Sequence, residues 1–297
     1  MKKEKNIFAL GMFDGVHLGH QALLAACREL AAQMGAAAGV ITFSAHPESL
    51  VTGNAPRLIN TLEDRCTLLR QQGMETVVTL AFDEALRTLS WQDFVALLMD
   101  SYHAAGFVCG SDFRFGYRGE GTARLLQESC KKAGIPCWIV QQVEREGIRV
   151  SSTYIRTLLE QGQTERATAF LGHPHILSGE VQHGRQLGRT IGIPTANLHI
   201  PQGVIVPKFG VYACKARLED GQTDLAVTNV GNRPTVDGKT VTVEAWLPDF
   251  EGDLYGKKLT LEFYSFLRPE QKFPDLDALR SEIQKNRLQA GKFFEKQ

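Results

Sequence analysis

The hydrophobic pattern of this 297-residue chain changes period once, and that change divides it into two differently built halves. From Ile7 to about Val143, compact apolar runs alternate with helical patterns. The runs Ile7–Leu10, Gly39–Phe43, Thr76–Ala81, Phe107–Cys109 and Cys137–Val140 read as buried parallel strands. Helices are expected over His20–Met34, Leu62–Gln72, Trp91–Tyr102 and Ala123–Ala133, with Thr61-x-x-Asp64 and Ser90-x-x-Asp93 as caps. This βα rhythm predicts an open, doubly wound α/β sheet, whose ligand sits beyond the carboxyl ends of the strands. Gly11–His20, Thr42–Pro47 and Gly110–Gly121 would all emerge there.

After Ser151 two short helices are expected, Thr153–Gln161 and Glu165–Leu171, stopped by Gly172 and Pro174. A boundary near His173 gives domains 1–172 and 173–297. Beyond it the period becomes two. Tyr212, Cys214, Ala216 and Leu218 share a face, as do Val241, Val243, Ala245 and Leu247, and Leu259, Leu261, Phe263 and Leu267. With Ile176–Gln182 and Asp224–Asn229 these strands suffice for a small antiparallel β-barrel, followed by a terminal helix presenting Leu276, Leu279 and Ile283.

Composition narrows the function classes. A 43% hydrophobic content supports folded cores, and 33 basic against 33 acidic residues give zero net charge. No global field exists to hold nucleic acid or an anionic membrane, so any anion must be recognised locally. The N-terminus carries no apolar stretch long enough for a signal peptide or a span, and a cytoplasmic protein is expected. Cys27, Cys66, Cys109, Cys130, Cys137 and Cys214 form no C-x-x-C pair and are expected to be free thiols.

The run Gly11-Met12-Phe13-Asp14-Gly15-Val16-His17-Leu18-Gly19-His20 sits at a strand-to-helix turn. Its glycines let the backbone approach an anion, the helix start offers open N–H groups, and His17 and His20 share one face of the first turn. Such a pair suits charge stabilisation during displacement at an α-phosphate; a zinc site competes, but no further ligand follows at zinc spacing. Ser151-Ser152-Thr153-Tyr154-Ile155-Arg156 offers hydroxyls at a second helix start with Arg156 one turn on, able to grip phosphates or simply to cap a helix. In the second half, Gly179–Asn197 is rich in glycine, and Thr195 and Asn197 bring the hard oxygen donors Mg²⁺ prefers, although such a loop can also be an ordinary turn.

Together these segments, with Thr42-Phe43-Ser44-Ala45-His46-Pro47 and Gly110-Ser111-Asp112-Phe113-Arg114-Phe115-Gly116, resemble the FMN adenylyltransferase module of bacterial bifunctional riboflavin kinase/FAD synthetases. The loop ending Pro194-Thr195-Ala196-Asn197 resembles the riboflavin kinase module, and the match runs on through Gly210-Val211-Tyr212, Val230–Thr235, Val243-Glu244-Ala245-Trp246 and Leu267-Arg268-Pro269-Glu270. The resemblance implies a Rossmann-like nucleotidyltransferase domain followed by a kinase barrel, acting on riboflavin, FMN, FAD and ATP with Mg²⁺. His17, His20 and Arg156 inherit catalytic roles in adenylyl transfer, and Glu244 that of the base for phosphorylation. ATP contacts fall on Gly11, Phe13, Asp14, Gly15, Gly19, Ser152 and Thr153 in the first half. In the second they fall on Gly184, Gly188, Gly192, Pro194, Thr195 and Asn197, the last two also holding the metal. Flavin contacts are implied for Phe43, His46, Pro47, Asp112, Phe113 and Arg268. The aromatics among them also suit a core, and Asp112 stands where relatives often carry Asn.

Rival readings are an enzyme with one live half and a flavin-sensing regulator that kept the pockets. Intact motifs in both halves oppose the first, and retained His17, His20 and Glu244 oppose the second.

Overall fold

The computed structural model describes residues 5–48, 55–184, 188, 191–235 and 238–296, with side chains 233–240 left aside. The expected glycine-rich run therefore falls partly outside the described residues, at 185–187 and 189–190. By its internal contacts the chain forms two units, Met1–Leu58 with Leu62–Ser152, and Ile59–Thr61 with Thr153–Gln297.

The first unit runs β1 (Asn6–Leu10), α1 (Leu18–Met34), β2 (Ala37–Phe43), α2 (Leu62–Gln71), β3 (Thr76–Leu80), α3 (Glu84–Thr88), α4 (Trp91–Tyr102) and β4 (Ala104–Gly110). It continues through β5 (Arg114–Phe115), β6 (Gly121–Thr122), α5 (Ala123–Ala133), β7 (Cys137–Val140), β8 (Glu144–Arg145) and β9 (Ile148–Arg149). Five strands form a parallel sheet in the order β3-β2-β1-β4-β7. Successive residues of β1 bury on opposite faces: Ile7 and Ala9 pack with Leu24, Cys27 and Leu30 of α1, while Phe8 and Leu10 pack with Phe94, Leu98 and Leu126. Two covered faces explain why these strands read as unbroken apolar runs. Chain order reverses between β1 and β4, so the loops leaving those strands flank the crevice where such sheets bind ligands. Ser90 caps α4 as expected, its hydroxyl accepting from the Asp93 N–H at 3.1 Å.

The helix α6 (Ser152–Gln161) leads into the second unit, which holds α7 (Thr164–Leu171), β10 (His175–Gln182), β11 (Ala196–His199), β12 (Gly210–Arg217), β13 (Thr223–Thr235), β14 (Gly238–Trp246), β15 (Lys258–Arg268) and α8 (Leu276–Phe294). A closed antiparallel barrel results, in the order β10-β11-β14-β13-β12-β15. Leu177, Tyr212, Cys214, Val243, Leu261 and Phe263 fill it, while α8 packs Ile283 and Ala290 against the outer residues Val211, Ala213, Val227 and Trp246.

Three expectations fail locally. Leu267 packs with the outer cluster and Phe266 with the barrel core, because the β12–β15 pairing shifts register twice and changes the phase of β15. Val241 is 40% exposed, since β11 pairs with β14 only from Val243 to Ala245 and leaves the hairpin end uncovered. Ala196 and Asn197, read as the end of a loop, belong to the barrel strand β11 (Ala196–His199). All six cysteines are free, and all but Cys66 are buried.

Candidate active sites

The loop from β1 to α1 is wound tightly, with Phe13 (φ 54°), Gly15 (φ 83°) and Val16 (φ 40°) all left-handed. That conformation is rare for a β-branched residue, and here the burial of Phe13 and Val16 holds it in place. His17 is the N-cap of α1, and its Nδ1 accepts from the backbone N–H of His20 at 3.3 Å. A neutral His17 ring must then carry its proton on Nε2. The two imidazoles stack with centroids 3.6 Å apart and planes 12° from parallel. A Cβ on Gly19 would lie 3.2 Å from the His17 ring, so glycine there makes room for it. The Ser152 hydroxyl donates to the Asp14 carbonyl at 2.8 Å, tying the head of α6 to this loop. Thr153 follows in α6, exposed, and Arg156 stands half-buried one turn on.

His20 is partly buried, and its Nδ1, itself withdrawn from solvent, has no hydrogen-bond partner. Burial chiefly, then the charges of His17 and Arg65, hold its pKa well below the ordinary histidine value. Arg65, on α2, was not singled out from the sequence; an arginine inside an amphipathic helix carries no motif signal.

A cavity of about 450 Å³ in the same unit is lined by Phe43, Pro47, Phe82, Phe94, Arg114 and Phe115 among others. Of the expected flavin contacts, Phe43 and Pro47 line it, whereas His46, Asp112 and Phe113 do not. Phe113 stacks on Phe115 with centroids 5.4 Å apart. Asp112 pairs with Arg149 on the surface, and the His46 ring accepts from the Glu48 N–H.

In the barrel, cross-strand register assembles the second site. Asn197 on β11 pairs with Glu244 on β14, Glu244 with Asn229 on β13, Asn229 with Val211 on β12, and Val211 with Arg268 on β15. A cavity of about 320 Å³ is lined by Gly188, Thr195, Asn229, Glu244, Arg268 and Asn286, with apolar walls from Trp246, Phe273 and Ile283. Arg268 is steered by Asn286, whose Oδ1 accepts from its Nε at 3.1 Å, and by Glu282 at 3.5 Å. A smaller cavity of about 90 Å³ is lined by Pro194, Thr195, Asp253 and Tyr255. Thr195 lines both. A Cβ on Gly188 would lie 2.1 Å from the Ile193 carbonyl oxygen, so the turn before Pro194 closes only over glycine. Gly184 and Gly192 line neither cavity; Gly192 turns the chain at φ 74°. Asn229 escaped the sequence reading, because it is a polar residue whose place at the cavity is set by strand partners distant in sequence.

Of the two oxygen donors expected for a hard divalent cation, Thr195 lines both cavities, whereas Asn197 lines neither; its amide nitrogen donates to the Thr195 carbonyl oxygen at 3.4 Å and packs against Gly184. No group of three His, Cys, Asp or Glu able to hold a metal occurs among the described residues.

Two family models match the chain, FAD synthetase over residues 1–154 and riboflavin kinase over residues 171–294. Curated relatives described as bifunctional riboflavin kinase/FMN adenylyltransferase include that of Bacillus subtilis strain 168, 36% identical over 99% of this chain and 94% of the relative. That of Escherichia coli K12 is 36% identical over 98% and 94%, and that of Pseudomonas fluorescens 38% over 93% and 89%. A crystal structure described as a macrolide-efflux protein from Streptococcus pneumoniae superposes with TM-score 0.86 at 30% identity, covering 96% of this chain and 93% of that one. In this chain, no helix among the described residues is long and apolar enough to cross a membrane.

Proposed function

Since the chain belongs to the bifunctional riboflavin kinase/FMN adenylyltransferase family, we propose that its barrel cavities and its β1–α1 loop are the two active sites of that family's consecutive reactions. Riboflavin is phosphorylated to FMN, and FMN is adenylated to FAD, with ATP consumed in each step and a divalent cation in attendance. The observation that carries the kinase assignment is that Thr195 lines both barrel cavities while Glu244 lines the larger. A phosphoryl group handed from nucleotide to flavin must cross such a shared wall.

In the barrel, the isoalloxazine ring lies against Trp246, Phe273 and Ile283, where a broad flat face gains from burial, and Arg268 addresses its polar edge. Glu244 accepts the 5′-hydroxyl proton as that oxygen attacks the γ-phosphate of ATP, the bond to the β–γ bridging oxygen breaks and ADP leaves. Thr195 and Asn197 hold the cation, which we take to be Mg²⁺ and which neutralises charge on the transferred phosphoryl group when bound. Pro194 fixes the turn that presents Thr195.

In the first site, a phosphate oxygen of FMN attacks the α-phosphate of ATP and pyrophosphate leaves. His17 and His20 donate to the oxygens gaining charge, the loop Gly11–Gly19 cradles the phosphates, and Ser152, Thr153 and Arg156 hold the departing pair. In this reading the adenylyl-transfer domain spans residues 1–172 and the kinase domain 173–297. That functional boundary lies later than the division by internal contacts, which falls after Ser152. A cytoplasmic site of action, where ATP is abundant, belongs to the same reading.

Purified protein incubated with riboflavin, ATP and Mg²⁺, followed by chromatography of the flavins, tests all of this. Both FMN and FAD are expected; accumulation of neither, or of FMN alone, would refute the two-site assignment.

A further inference from the structure

The roles given to His17 and His20 leave unexplained the cation beside them. Arg65 is the largest side chain fully withdrawn from solvent among the described residues. Its guanidinium donates to the Phe43 carbonyl oxygen and to Met12 Sδ at 3.7 Å, while its Nε finds no acceptor. Asp14 lies within its electrostatic reach. Met12 and Asp14 belong to the β1–α1 loop and Phe43 ends β2, so one side chain bridges two of the segments that leave the sheet at its ligand-binding edge.

Withdrawing a charge from water without a full partner costs several kcal/mol, and a methionine would fill the same volume without that cost. A guanidinium held there therefore suggests a use for its charge. The charged and titratable groups facing His20 are His17 from the head of α1 and Arg65 from α2, with Asp14 set against Arg65.

We propose that Arg65 is a positioning residue of the adenylyl-transfer site, its guanidinium tying the β1–α1 loop to the end of β2 and setting a fixed positive charge beside His20. With burial as the main influence and the charges of His17 and Arg65 acting in the same direction, His20 meets ATP as a neutral ring, one N–H donor with no charge of its own to be trapped by the ground-state triphosphate. The stronger interaction is then reserved for the oxygen that gains charge during transfer.

This inference rests on the adenylyl-transfer reading, and two separate readouts keep the failures apart. The first is the titration midpoint of the His20 ring, followed by NMR in the full chain labelled with ¹³C-histidine and assigned with H20Q. Removing a neighbouring positive charge favours the protonated ring, so R65M should raise the midpoint by about half a pH unit or more, and R65K should leave it in place. The second is FAD formation from supplied FMN, in which R65K should lose about tenfold in kcat/KM because an ammonium cannot span both Met12 and Phe43. A merely structural role would move the second readout without the first. An R65M midpoint equal to that of the wild type overturns the proposal, as does an R65K enzyme of full activity; the latter comparison decides alone if R65M does not fold. If the wild type makes no FAD, the adenylyl-transfer reading fails instead, whatever the midpoint does.

Discussion

Two imidazoles with centroids 3.6 Å apart repel each other when both are protonated, and the N-cap bond already assigns the His17 Nδ1 lone pair. Their pairing therefore favours neutral donors, and loss of either should be felt mainly in the transition state. His17→Ala and His20→Ala should each slow FAD formation by about 10²–10³ while FMN formation from riboflavin continues; flavin chromatography reads both. Glu244→Ala should fail on riboflavin yet convert supplied FMN to FAD, and an E244A enzyme that phosphorylates riboflavin normally would exclude Glu244 as the base. A third histidine sets a pH limit unrelated to catalysis. His175 is fully buried at the start of β10, neither ring nitrogen has a partner, and burial lowers its pKa to about 3, with His173 contributing. A group whose folded pKa is depressed takes up its proton preferentially in the unfolded chain. Its penalty is absent above the unfolded value near 6.5 and grows as pH falls towards about 3, by up to roughly 1.4 kcal/mol per pH unit. His175→Leu should flatten the fall of the urea midpoint between pH 6 and pH 4, the window in which this group acts.

At the scale of elements, the same residue serves structure and chemistry. His17 caps α1, so His17→Ala should cost about 1 kcal/mol of stability, while His17→Asn should restore the cap without restoring FAD formation. Thermal melts set beside the activity assay separate the two effects. Gly188→Ala would force a Cβ to within 2.1 Å of the Ile193 carbonyl and displace the turn that leads into Thr195. FMN formation should fall by about tenfold or more with FMN-to-FAD conversion intact. The strands of the parallel sheet were legible because β1 is covered on both faces and leaves an unbroken apolar run. The strand β11 was not, since its four residues include a polar Asn197 and a histidine and are held by partners on β10 and β14 rather than by their own propensity. Leu267 was misplaced for a related reason. A register shift against β12 is a property of the pair of strands, invisible in either one.

For the whole molecule, the two reactions need no shared residue if FMN leaves one site and enters the other through solvent. A mixture of E244A and H20A chains should then make FAD from riboflavin after a lag in which free FMN accumulates. Absence of FAD from the mixture would mean that the product must pass within one chain. What the sequence determined by itself is local and periodic: the change from helical to two-residue repeat and the strand–loop–helix around His17 and His20. Each is written in neighbours along the chain. Only the tertiary structure decided that Arg65 stands buried within electrostatic reach of His20, that Asn229 and Asn286 join Arg268 at one cavity, and that Phe82, Phe94 and Phe115 wall another around Phe43. Those placements follow from strand register and helix packing, which bring together residues whose separation in sequence carries no record of their meeting.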